Sequence, residues 1–150
     1  MPNSNKYDYY YINDKIGETN FFKIPKALFC DLDFMFLSAP AKLLYAILLD
    51  RAALSARNNW LDEHGRVYIY YTVEDAASML GVCKDKAIKL FAELDGKTGC
   101  GLIQRKRQGQ GKPSIIYVKC IPQKDELSTF STPMWMDYQQ KISEMVDIEL

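Results

Sequence analysis

Three observations predict that this sequence folds as an α+β winged helix, a winged helix-turn-helix with N- and C-terminal arms. Residues 73–92 carry a helix-turn-helix pattern, an apolar-striped helix precedes them, and a two-stranded hairpin with a Gly-, Gln- and Lys-rich tip follows. The 150 residues suit one domain with ordered arms and leave no room for two large domains. An apolar fraction of 48% and a charged fraction of 25% are those of a soluble globular protein, which excludes disorder of the whole chain. No apolar run approaches the ~20 residues of a membrane helix.

Residues 1–19 are polar, with a tyrosine cluster (Tyr7, Tyr9, Tyr10, Tyr11) and no helical period, and they read as an arm. Residues 20–24 are a strand candidate. Pro25 then opens a short helix over 25–30, because proline at the first helical position loses no needed hydrogen bond. Ser38 is a good N-cap. After it Leu43, Leu44, Ile47, Leu48 and Leu54 recur three and four apart, which predicts an amphipathic helix over 39–55. Asn58-Asn59 ends it. Residues 60–61, a turn at 62–65 and residues 67–71 read as a β-hairpin rich in aromatic and branched side chains.

Thr72 with Asp75 resembles a capping box, with Asp in place of the usual Glu. The helix it starts covers 73–80 and stops at Gly81. A second helix runs from Cys83 or Lys84 to Leu94. A loop at 95–101 follows, then strands at 102–107 and 115–119 around the tip 108–113. Residues 20–122 form the domain. Residues 123–150 carry two lysines and six acids, net −4, and read as an acidic arm or linker. Within them Trp135, Tyr138, Ile142 and Met145 have the spacing of one amphipathic helix.

Several chemistries are excluded. Cys30, Cys83, Cys100 and Cys120 form no Cys-x-x-Cys pair, and His64 stands alone in a turn, so no metal site and no cofactor is expected. The N-terminus lacks the apolar core of a signal peptide, so the cysteines read as reduced thiols in a cytoplasm. There is no Walker loop and no Gly-x-Ser-x-Gly. Gly109-Gln110-Gly111-Lys112 has the wrong spacing for a phosphate loop and does not open a helix. An enzyme is the least favoured reading.

A helix-turn-helix makes three demands: a small residue at the helix crossing, a turn residue able to take positive φ, and apolar buried faces. Ala77 meets the first and Gly81 the second. Ala76, Leu80, Val82, Ala87 and Leu90 meet the third. A plain helical hairpin satisfies several of these positions too, but the hairpin that follows favours the winged helix. On its first strand Arg105 and Arg107 share one face, with Gln104 and Lys106 on the other. A strand basic on both faces projects into solvent. Such charge either protects an exposed edge or meets an anion.

Helical register places Ala87, Leu90, Phe91 and Leu94 inward, and Cys83, Lys84, Asp85, Ile88, Lys89 and Ala92 outward. If the domain reads DNA, the second helix enters the major groove. Lys84 or Lys89 could then donate to guanine, Asp85 accept from cytosine N4, and Ile88 touch a thymine methyl. Thr72, Lys86, Arg105, Lys106, Arg107 and Lys112 are the backbone or wing candidates. Residues 83–119 hold nine basic and three acidic residues, net +6, and the rest holds 10 basic and 16 acidic, net −6. The total of zero conceals this segregation. Neutralising about 4–6 phosphates makes affinity fall steeply with salt.

The sequence resembles the N-terminal domain of the plasmid replication initiator protein A family of Gram-positive plasmids and mobile elements. The resemblance rests on ordered blocks between about 20 and 120. They include Phe21-Phe22-Lys23-Ile24-Pro25-Lys26, Ala41-Lys42-Leu43-Leu44-Tyr45, Leu48-Leu49-Asp50-Arg51 and Trp60-Leu61-Asp62-Glu63-His64-Gly65. Ala87-Ile88-Lys89-Leu90 and the run from Gly101-Leu102-Ile103 to Gly111-Lys112-Pro113 complete them. The resemblance implies a winged helix that binds repeated origin sites in double-stranded DNA, usually as a dimer. It implies base reading by 84–94 and backbone contacts from 105–113. One departure is Cys83 where Ser is expected, a poorer N-cap. Another is length: the family's full-length members carry a further C-terminal domain for recruiting host replication proteins, and this chain reads as a truncated form or a short relative. The aromatic arm and the C-terminal stripe are the two candidate homodimer contacts. Two alternatives stay open, a winged-helix transcriptional regulator and a protein-interaction winged helix that does not bind DNA.

Overall fold

A computed structural model describes residues 7–9, 11–13, 15 and 20–121. The expected acidic arm with its C-terminal helix, and much of the 1–19 arm, lie outside the described residues. The elements are α1 (Ala27–Cys30), α2 (Ala39–Arg57), β1 (Ile69–Tyr70), α3 (Val73–Leu80), α4 (Lys84–Leu94), β2 (Ile103–Lys106) and β3 (Ile115–Val118). No helix among the described residues is long and apolar enough to cross a membrane.

Local chemistry sets the helix ends. The Leu28 N–H donates to the Pro25 carbonyl at 3.1 Å, so the turn of α1 begins at the proline although the helix proper starts at Ala27. Ser38 caps α2, its hydroxyl accepting from the Ala41 N–H at 3.3 Å. The helix runs two residues past the expected Leu54–Ser55 end. Asn59 stops it by taking a left-handed φ of 58°. The Trp60 N–H then donates to Ser55 and the Asn59 N–H to Ala56, which satisfies two end carbonyls. The buried face of α2 is Ala41, Leu44, Tyr45 and Leu48, spaced i, i+3, i+4, i+7. Leu43 and Leu54, assigned to the stripe from sequence, are exposed. Leu43 sits one residue, about 100° of helical turn, away from Leu44.

The strand expected at 20–24 is not formed. Its apolar residues have strand propensity, but the sheet pairs only its own three strands, and propensity needs an edge to pair with. The expected 60–71 hairpin forms in part. Leu61 and Val67 make one bridge, and the Tyr68 N–H reaches the Trp60 carbonyl at 3.3 Å. The second arm then leaves its partner and becomes β1, pairing antiparallel with β3 (Ile69 with Ile116, Tyr70 with Ile115). β2 flanks β3 on the other side (Ile103 with Val118, Arg105 with Ile116), giving the order β1-β3-β2. The wing and the second arm of the hairpin thus share one sheet.

Ile69, Ile103 and Ile116 face the core, where they meet Leu44, Tyr45 and Leu48 of α2, Ala76 of α3, and Ala87, Leu90, Phe91 and Leu94 of α4. Burial pushes the Tyr45 phenol up to about 12, so it stays a donor, and it bonds the Lys119 carbonyl at 2.7 Å. Glu93 joins α4 to the start of α2, accepting from the Ser38 N–H at 3.0 Å and the Ser38 hydroxyl at 2.7 Å.

The turn at 62–66 is organised by Asp62. Its carboxylate accepts from the His64 and Arg66 N–H groups, the Arg66 Nε (2.9 Å) and the Tyr117 hydroxyl (3.0 Å). Desolvation alone would raise the Asp62 pKa. The Arg66 N–H and guanidinium, the Tyr117 hydroxyl and the His64 N–H outweigh it, and hold the carboxyl well below the usual carboxylate range. The unfolded value is about 3.9. This contribution is therefore complete above that pH and is lost as pH falls through the lower folded value. Asp62→Asn is expected to lower the urea midpoint at pH 7, and the gap to wild type should narrow as pH drops below about 4.

Gly99 sits where the 95–102 loop folds back on α4, its N–H donating to the Asp95 carbonyl at 2.8 Å. A Cβ there would fall inside the van der Waals envelope of the Glu93 carbonyl, whereas at Gly96 the nearest atom is 3.8 Å away. Gly99→Ala should therefore cost more than ~2 kcal/mol in urea unfolding, and Gly96→Ala less than ~1 kcal/mol.

Candidate nucleic-acid interface

The helix-turn-helix is built from its caps. Thr72 Oγ1 accepts from the Asp75 N–H at 3.0 Å and Asp75 returns the bond to the Thr72 N–H at 3.2 Å, the reciprocal capping box read from sequence. Gly81 takes φ 66°, and the Val82 N–H donates to the Ala77 carbonyl at 3.0 Å. Cys83 then enters α4 in the extended cap conformation but makes no side-chain cap bond. Thr72, a backbone candidate, is exposed but engaged in its own cap.

The two faces of α4 separate nearly as the register predicts. Ala87, Leu90, Phe91 and Leu94 are buried. Cys83, Lys84, Asp85, Lys86, Ile88 and Lys89 are exposed. Ala92 was expected outward and is half-buried, because the following loop turns back and the Thr98 hydroxyl bonds its carbonyl at 2.7 Å. Lys84 pairs with Glu74 at 3.1 Å. The backbone N–H of Glu74 and the Lys84 ammonium hold the Glu74 carboxyl below its ordinary value. Both side chains are well exposed, so the pair costs little to break and Lys84 can be redirected to an anion.

The wing is less uniform than its sequence suggests. Lys106, Arg107 and Lys112 are exposed. Arg105 is not a free surface cation: its Nε donates to Asp95 at 2.6 Å, and its guanidinium lies 5.7 Å from the Phe91 ring centre. Asp95 is buried and its N–H closes α4 on the Phe91 carbonyl. Burial works to raise the Asp95 pKa, and the Arg105 guanidinium with the Lys97 N–H brings it below the ordinary range. The tip turns through Gly109 (φ 115°) and Gly111 (φ 81°), conformations that favour glycine.

Sequence reasoning missed a groove of about 930 Å³ along the outer edge of β2, next to the Asp95–Ile103 bridge. Arg66, Lys97 and Lys119 line it together with Arg105, Lys106 and Arg107. These six cations come from four chain segments, and no local pattern announces that they meet. The one lining acid, Asp95, is already paired with Arg105.

A three-helix core, a helix-turn-helix and a basic hairpin define a winged-helix domain. The family model for the N-terminus of replication initiator protein A (RepA) matches residues 20–132, and the chain belongs to that family. It is 30% identical over 99 residues to a 41 kDa protein of Lactobacillus helveticus, covering 66% of this chain and 27% of that protein. The chain thus spans about a quarter of the curated relative it matches. Among solved structures it is similar to an N-terminal domain of a DNA-binding protein (TM-score 0.63, 29% identity, 91% of this chain and 96% of that one). It is also similar to a Rep–DNA complex (TM-score 0.61, 30% identity, 89% and 95%) and to an MDR initiator (0.60, 27%, 89% and 98%).

The two wing arginines should behave differently. Arg105→Ala leaves the buried Asp95 carboxylate without its guanidinium partner, with only the Lys97 N–H still donating to it, and is expected to cost about 1–3 kcal/mol in urea unfolding. Arg107→Ala, at an exposed position, should stay within ~0.5 kcal/mol.

Proposed function

We propose that this chain binds double-stranded DNA sequence-specifically, as the N-terminal domain of a plasmid-type replication initiator that recognises repeated origin sites. The observation that carries this reading is the outward face of α4. It presents Lys84, Asp85, Ile88 and Lys89 together, on a helix whose opposite face is buried in the core. Lys84 and Lys89 donate to guanine O6 or N7, Asp85 accepts from cytosine N4, and Ile88 meets a thymine methyl. Thr72, Lys86, Lys106, Arg107 and Lys112 hold the backbone. Arg105 acts mainly by fixing β2 on α4. The likeness to the Rep–DNA complex supports the same partner.

The proposal includes a homodimer. Phe29, Leu32, Met35, Phe36 and Leu43 are all exposed in the segment from α1 to the first turns of α2, and they supply apolar surface for a second copy to cover. Tyr7, Tyr9 and Tyr11 of the arm are exposed as well.

Footprinting on the DNA around the coding gene, with anisotropy titrations of the protected duplex, tests the proposal. Protection over tandem repeats in an origin is expected. Affinity should fall with salt at a log–log slope of about −4 to −5, from about 4–6 phosphates. Replacing Lys84 and Lys89 by Ala should weaken specific binding about tenfold or more. Protection of a lone operator upstream of a promoter would make the domain a transcriptional regulator. Salt-insensitive binding, unchanged when Lys84, Lys89, Arg105 and Arg107 become Ala, would make it a protein-interaction module.

A further inference from the structure

We infer that the sheet face turned away from α4, together with the groove on the β2 edge, forms a binding site for single-stranded nucleic acid, separate from the duplex-reading face. The register separates the two sides of the sheet. Ile69, Ile116 and Arg105 lie in one cross-strand row and face the core and α4. Tyr70, Ile115 and Lys106 lie in the next row and face the other way.

That outer face carries the two features a single strand needs, aromatic surface for bases and a basic track for the backbone. Trp60 packs on Tyr68 (centroids 6.3 Å, nearly parallel) and edge-on against Tyr70 (5.9 Å). Trp60 remains 43% exposed and Tyr70 39%. Beside them Arg66 lies 4.8 Å from the Tyr117 ring centre and lines the β2-edge groove. Lys97, Lys106 and Lys119 continue that groove. Tyr70 and Lys106 sit two strands apart, about 10 Å. A strand whose phosphates follow the groove can therefore lay bases on the Trp60–Tyr70 surface.

Charge alone fits any polyanion, duplex included. The exposed rings decide between them, because a duplex keeps its bases stacked on each other and offers such rings nothing to stack on. Every base has a π-face, so the site is expected to tolerate sequence, unlike the α4 face. Lys106 and Arg107 border both surfaces, but Trp60, Tyr70, Lys97 and Lys119 belong to this site alone and Lys84 and Lys89 to the α4 face alone, so either activity can be removed without the other.

The test is anisotropy of a labelled 12-nucleotide oligo(dT) with the full 150-residue chain, next to the footprinted duplex. The oligonucleotide should bind with a log–log salt slope of about −2 to −3, from three or four phosphates. Trp60→Ala with Tyr70→Ala should weaken it about tenfold or more and leave duplex affinity unchanged. Trp60→Phe should retain most of the binding, which separates loss of stacking from loss of fold. Lys97→Ala with Lys119→Ala should flatten the single-strand slope by about 1–2. Absence of oligonucleotide binding at low salt would overturn the inference. So would a Lys97/Lys119 variant that weakens only the duplex, with the ring variants changing nothing, since the groove would then extend the duplex track.

Discussion

The Asp95–Arg105 contact is the junction that sets how α4 and the wing sit against each other. Asp95 closes α4 with its backbone N–H, anchors the 95–102 loop through its carbonyl, and holds β2 with its carboxylate. The same arginine lies by Phe91, whose ring is in the core. Helix α4 and the wing are therefore fixed to each other by one buried acid and one half-buried base rather than by the loop alone. Both groups are satisfied, so the charge burial is compensated. A wing held this way meets a ligand with little ordering left to do, which lowers the cost of binding.

The electrostatics follow from that arrangement. The chain has no net charge, but its cations are not scattered. Pairing Arg105 with Asp95 removes one cation from direct contact and leaves Lys106, Arg107 and Lys112 projecting along the wing. On α4 the Lys84–Glu74 pair is exposed and weak, so that cation is shielded without being lost. Asp62 neutralises Arg66 in part, which seats it over Tyr117 with its side chain still half exposed. The acids near the basic surfaces thus position cations more than they cancel them.

Much of this was legible in the sequence, and the limit is one of range. The ends of α3 and α4 depend on residues within a few positions: Thr72 with Asp75, Gly81, and the spacing of Ala87, Leu90, Phe91 and Leu94. Those signals are local and they read correctly. Pairings between distant residues did not read. Ser38 with Glu93 and Asp62 with Tyr117 are each separated by 55 positions, and nothing near either residue names its partner. The 20–24 segment shows the same limit from the other side, since its strand propensity is real but no sheet edge meets it. Of the candidate site, the outward residues of α4 were legible from helical period. The β2-edge groove was not, because its cations converge only once the sheet has formed.

The central claim is that α4 lies in the major groove of a duplex with its outward face on the bases. A photocrosslinker placed at position 88, where Ile88 is exposed at the middle of that face, tests it most directly. Crosslinks to bases at one fixed place in each protected repeat, on the major-groove side, are the predicted result. A saturated protein–DNA complex that gives no base crosslink from position 88 would contradict the account.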